Sequence, residues 1–295
     1  LSASILAGQA IVGVHFSEKL DAASAADPFN YDVTGVTVSA AALVGPEGNV
    51  VKLTVSGVPA DGYNVTVNGV MDVAGNPATD ASVAGTISAM MNTVLFRTPD
   101  TDPIVQGEAF TWGEEGFFVS SGGSDIWNDA DACRFVYSEF TGAFDARVNV
   151  QSLTGTHQWA KATIMARESL DSNSRHADAV ATRSDGNGQN QLTWQWRDTT
   201  GGGSGSLAGA SRINLLENAN YPNTWLRLVR PDTESNTFMA YWSNNGQDWN
   251  LHSEHTIPIG DAPDGVLPET MFVGLAVTSH DNGDGVVPAE AVFQS

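Results

Sequence analysis

The stretch FDARVNVQ, residues 144–151, decides the fold class. Phe144, Ala146, Val148 and Val150 fall on one side of a two-residue repeat, and Asp145, Arg147, Asn149 and Gln151 on the other. Side chains alternate between the two faces of a β-strand, so the pattern predicts a strand with one apolar face. The same alternation recurs in both directions along the chain. NVVKLTVSGV sets Val51, Leu53 and Val55 against Lys52, Thr54 and Ser56, and YNVTVNGV, TWLRLVR, TFMAYWS and MFVGLAVTS repeat it. Turn signals such as PEGN, ADG, AGNP, SDGNG and SNNGQD separate these runs. Helical periodicity is hard to find, and only LDAASAADPF suggests a helical turn. The reading is an all-β chain built of antiparallel sandwiches.

The 295 residues suffice for two ordinary domains, and 41% apolar residues supply a core of normal size. Charge is sparse and lopsided, with 13 basic against 34 acidic residues and a net charge of −21. A field of that sign repels nucleic acid and anionic lipid, and it suits a medium in which divalent ions neutralise carboxylates. Lysine occurs only at Lys19, Lys52 and Lys161. A single cysteine, Cys133, excludes an intramolecular disulfide and a thiolate zinc site. No apolar run approaches the roughly 20 residues that cross a bilayer, so no membrane insertion is expected. The opening LSASILAGQA carries no basic region, and it reads as a mature or trimmed chain.

Composition shifts over residues 88–103, because every tryptophan lies beyond it. The expected domains are residues 1–88 and 93–295. The Gly-rich segment TTGGGSGSLAG, residues 199–209, follows QLTWQWRD directly and reads as an internal loop of the second domain.

Residues 1–88 resemble bacterial Ig-like domains of S-layer and other surface proteins. The resemblance rests on Phe16, Ser17 and Glu18, on Asp27, Pro28, Asn30 and Tyr31, and on Asp72, Ala74, Gly75 and Asn76, in the family's order. It implies an Ig-like β-sandwich used for spacing and display. Residues 93–295 resemble a family of concanavalin A-like, laminin-G-like sandwiches in secreted bacterial proteins. The segments that carry this are FFVSSGGSDIWNDADACRFVY, QWAKATIMARESLDSNSRHA, WLRLVRPDTESNTFMAYWSNNGQDW and FVGLAVTSHDNG. This implies a larger jelly-roll β-sandwich, an extracellular or cell-surface setting and glycan binding.

Catalysis finds little support. A retaining glycosidase needs two carboxyl groups about 5 Å apart, and the E-x-D-x-E strand pattern that would supply them is missing. Glu114 and Glu115 would point to opposite faces, and no G-x-S-x-G motif occurs. Sugar recognition has better candidates. If WAKATIMAR, RHADAVAT and LTWQWR are sheet neighbours, one face is apolar and the other presents Arg167, His176, Asp178, Gln195 and Arg197. Arg and Asp forks match vicinal hydroxyls, and Trp159 in the preceding turn would stack on a sugar. The plainer alternative is a solvated sheet face with Arg–Asp pairs. Trp194, Trp196, Trp242 and Trp249 read as packing residues, and Cys133, sharing a face with Phe135 and Tyr137, as a buried inert thiol.

Calcium is the candidate cofactor, with Asp125 and Asp129 in one loop and Asp281 and Asp284 in a Gly-rich turn. Such Asp-Asn-Gly sequences are also simply good turns. The expected partner is a polysaccharide or cell-surface glycan. The alternative is copies of the same chain in an extracellular fibre, sheath or S-layer. An ion that binds only the folded state stabilises it, by about 2.7 kcal/mol at a hundred times its dissociation constant. Ca²⁺ is therefore expected to raise the melting temperature more than NaCl of equal ionic strength. Equal shifts would return the four aspartates to turn formation.

Overall fold

A computed structural model describes residues 1–78, 81–88, 92–96, 107–113, 116–183, 191–207, 213–214, 221–260, 265–281 and 287–295. The chain is almost wholly β, and no helix among the described residues is long and apolar enough to cross a membrane. It divides into two compact units. One comprises Leu1–Asn92 and Ala109–Phe118, and the other Thr93–Glu108 and Val119–Ser295.

The first unit contains β1 (Ser2–Leu6), β2 (Ile11–His15), β3 (Tyr31–Val33), β4 (Val38–Val44), β5 (Val50–Val55), β6 (Asn64–Val67) and β7 (Ala81–Ser88). They pair in the order β3-β6-β7-β1-β2-β5-β4, antiparallel throughout except for the parallel pair β1 and β7. Residues from both ends of this path, among them Val33, Val65, Ile5, Val14 and Leu53, share one apolar cluster, so the strands fold around a single core. The helical turn α1 (Ala22–Ala25) starts where Asp21 accepts a hydrogen bond from the Ser24 amide at 2.9 Å. The D-x-A-G-N segment is a turn made by one carboxylate. Asp72 Oδ1 accepts from the amides of Ala74 and Asn76, each at 2.8 Å, while Gly75 takes φ +86°.

Next along the chain come β8 (Asn92–Phe96), β9 (Ala109–Trp112) and β10 (Gly116–Ser121). β9 belongs with the first unit because it lies close against β1 and β2. Gly13 allows that approach: a Cβ there would stand 2.2 Å from the Thr111 carbonyl oxygen.

The second unit holds β11 (Ile126–Trp127), β12 (Ala130–Asp131), β13 (Cys133–Thr141), β14 (Phe144–Leu153), β15 (Lys161–Arg167), β16 (His176–Thr182) and β17 (Gln191–Arg197). It continues with β18 (Ser204–Ser206), β19 (Ile213–Asn214), β20 (Thr224–Arg230), β21 (Thr237–Ser243), β22 (Asn250–Thr256), β23 (Thr270–Thr278) and β24 (Ala289–Gln294). A front sheet runs β18-β17-β16-β15-β23-β13-β8, with β19 beside β17. A back sheet runs β22-β21-β20-β14-β24-β10. β15 approaches β14 and β20 across the interface and β16 approaches β20, and alternation turns Ala162, Ile164, Ala166, Ala179 and Trp194 toward Val148, Leu226 and Leu228, all of them buried. Two stacked antiparallel sheets around such a core are a β-sandwich.

The Gly-rich segment is not wholly a loop. Ser204–Ser206 forms β18 and pairs with β17. Small residues permit this, because a Cβ on Gly205 would meet Trp196 Nε1 at 2.6 Å. Cys133 is buried with Phe135, Tyr137, Met165 and Ile126, and burial pushes its thiol pKa far up, as an inert thiol requires.

Gly13→Ala tests the seat of β9. Overpacking costs about 1–3 kcal/mol, so calorimetry should show a lowered transition for the first unit. Gly57→Ala, where the added Cβ meets nothing within 4 Å, is the control. Equal behaviour of the two variants would mean that the approach of β9 is not tight.

Candidate functional site

The front sheet has a polar face, as its alternation foretold, but that face is covered. Register places Arg167, His176 and Arg197 side by side across β15, β16 and β17, and Met165, Asp178 and Gln195 in the next row. Arg167, His176, Asp178 and Arg197 are all 0% exposed and Gln195 only 5%. The expectation of an open face therefore fails. The β11–β12 hairpin and the loop 168–175 lie over it, and a charge so enclosed needs a partner.

Asp131, itself 0% exposed, is that partner. Its Oδ2 accepts from Arg167 Nη1 at 2.5 Å and from Arg197 Nη1 at 3.1 Å, and its Oδ1 from Arg197 Nη2 at 2.6 Å. The remaining guanidinium protons reach main-chain carbonyls. Arg167 Nη2 donates to Asp171 O at 2.6 Å, and Arg197 donates to Ser174 O at 2.9 Å and Asn128 O at 3.2 Å. His176 Nδ1 stands 3.1 Å from Asp178 Oδ1, outside hydrogen-bond angles. Burial pushes the Asp131 carboxyl up, but Arg167, His176 and Arg197 outweigh it and hold the pKa at about 2. At Asp178 burial outweighs the opposing influence of His176 and Lys161, and its pKa is raised.

Above this layer opens a cavity of about 240 Å³. Thr193 and Gln195 of β17 line it with Lys161 of β15, Ser206 of β18, Trp127 and Asp125 from the hairpin segment, Trp159 and His280. Lys161 Nζ donates to Asp125 Oδ1 at 2.5 Å and to Ile126 O at 3.0 Å, and lies 5.6 Å from the centre of the Trp127 ring. His280 Nε2 is 3.1 Å from Asp125 Oδ2, and its ring stacks on His157 with centroids 4.2 Å apart. Burial raises the Asp125 pKa, yet the His280 hydrogen bond and the Lys161 charge together bring it below the usual value. Burial and the neighbouring His280 lower that of His157. Thr193 Oγ1 and Gln195 Oε1 are buried with no hydrogen-bond partner among the described residues.

Of the residues expected from sequence, Trp159, Gln195 and Asp125 meet at this cavity. Arg167, His176, Asp178 and Arg197 lie in the buried layer beside it. Asp129 sits exposed in the β11–β12 turn, Asp281 bridges Gly123 through its backbone, and Asp284 falls outside the described residues, as do Glu114 and Glu115. Among the described residues no three His, Cys, Asp or Glu side chains come together as a metal group. Trp127, Lys161, Thr193, Ser206, His280 and Asp131 were not singled out from sequence. Lys161 carried a signal, as one of only three lysines in the chain and on the polar side of its strand's alternation.

No family model matches the chain, and no curated protein matches it. Among solved structures, a functionally unknown protein from Saccharomyces cerevisiae is 18% identical with a TM-score of 0.47, covering 70% of this chain and 94% of that one. Peanut lectin is 8% identical with a TM-score of 0.35, covering 70% and 97%. The S-layer protein rSbsC(31-844) is 14% identical with a TM-score of 0.26, covering 98% of this chain and 54% of that one. These are distant likenesses, and the sandwich stands on its own strand order.

Asp131→Asn should be severely destabilising. Removing one member of a buried ionic group leaves an uncompensated charge and costs about 3–5 kcal/mol, measurable as a lower urea midpoint. The pH dependence has a definite sign. The folded pKa lies below the unfolded one, so this contribution is whole above pH about 4 and disappears as the pH falls through about 2. Asp131→Asn should lack that acid-side loss.

Proposed function

We propose that the larger unit binds glycan, non-catalytically, through the cavity between Trp127 and Trp159. One observation carries the reading: two buried polar atoms without partners, Thr193 Oγ1 and Gln195 Oε1, line a cavity that also has two tryptophans in its wall. A buried polar atom left unpaired is costly, and a ligand hydroxyl would remove the penalty. Indole rings supply the apolar surface on which the C–H face of a sugar rests. Asp125 is the one carboxylate among the described residues that line the cavity, and it is committed to Lys161 and His280. That supports binding over glycoside hydrolysis, which needs two. In this reading Arg167, Asp131 and Arg197 hold the hairpin that carries Trp127. The first unit serves as an Ig-like spacer of a bacterial-type secreted or surface protein.

A second reading, a self-assembling fibre or surface-layer subunit, is favoured by β4. This strand ends its sheet with the sequence VSAAALV, free of charge and proline, the residues that usually block edge-to-edge pairing. Ordered filaments in negative-stain images would favour it.

A glycan array followed by calorimetry tests the first reading. Trp159→Ala and Gln195→Leu should weaken binding about tenfold or more, while Arg227→Ala on the back sheet leaves it unchanged. Parental binding by both cavity variants would overturn the proposal.

A further inference from the structure

We infer that the cavity accepts an uncharged sugar residue and rejects its acidic counterpart. This rests on the glycan-binding reading and names the class of sugar. Among the described wall residues both basic side chains, Lys161 and His280, are already engaged by one carboxylate. Lys161 Nζ meets Asp125 Oδ1 at 2.5 Å, and His280 Nε2 meets Asp125 Oδ2 at 3.1 Å. A second Lys161 proton goes to the Ile126 carbonyl at 3.0 Å.

The unpartnered floor atoms complete the argument. Gln195 Oε1 accepts only, so a ligand must bring it a proton, and Thr193 Oγ1 both donates and accepts. An alcohol satisfies both. A carboxylate or sulfate has no proton to give near neutral pH and would set a negative oxygen against Gln195 Oε1 and near Asp125. The net charge of −21 repels acidic polymers at longer range as well. At about 240 Å³ the cavity is smaller than a drug-sized pocket, and it suits one ring.

The test is a glycan array divided into neutral and acidic glycans, the latter carrying uronic acid, sialic acid or sulfate, probed with the full chain. Calorimetry then compares methyl glucoside with methyl glucuronoside, and methyl galactoside with methyl galacturonoside. Hits confined to neutral glycans, with any bound monosaccharide at least about tenfold tighter than its acid, are the expected result. Acidic glycans bound as tightly as neutral ones overturn the inference and leave the glycan reading standing. No hit of either kind overturns both. Asp125→Asn, checked for an unchanged fold by circular dichroism, unmasks the Lys161 charge and should narrow the gap between neutral and acidic ligands. An unchanged gap in the folded variant would exclude the Lys161–Asp125 pairing as its cause.

Discussion

One buried carboxylate organises the larger unit. Asp131 ends the β11–β12 hairpin and lies between two guanidinium groups from non-adjacent strands of the front sheet. Neither arginine tolerates enclosure without it, and its own charge is tolerable only because both are there. The hairpin and the loop 168–175 are thereby fastened to a sheet face that would otherwise be open. The cavity exists because of that fastening, since Asp125 and Trp127 reach its wall from the same hairpin segment.

The same arrangement explains why both faces of the front sheet are buried. Toward the back sheet the contacts are apolar and small, with alanines repeated along β15 and β16. On the other side, charge and hydrogen bonding near Arg167 pass into an apolar patch of Met165, Cys133 and Phe135. Burial on that side is thus held by polar and apolar means together, each under a different part of the cover.

The fold was legible because period-two alternation is local: residues 144–151 announce their strand without help from elsewhere. Which strands are neighbours was legible in part, and the Arg167, His176 and Arg197 row came out as supposed. Solvent access was not legible. It depends on a hairpin and a loop whose sequences look like ordinary turns, and nothing local marks Asp131 as the counter-ion of residues 36 and 66 positions away. The site divides along the same line. Trp159 and Gln195 could be read from alternation and residue type. Trp127 could not, because it reaches the cavity through tertiary contacts alone.

Strand order also dictates when the sandwich can form. β23 lies between β15 and β13 at the centre of the front sheet, and β24 between β14 and β10 in the back sheet. Both come after almost everything they pair with. Until they arrive, each sheet is two separate pieces with unpaired inner edges, and the long loops that must close make pairing slow. During synthesis the tunnel therefore releases most of this unit before any of it has a complete sheet. The exposed edges of that interval are the ones most open to a chaperone or to a wrong partner.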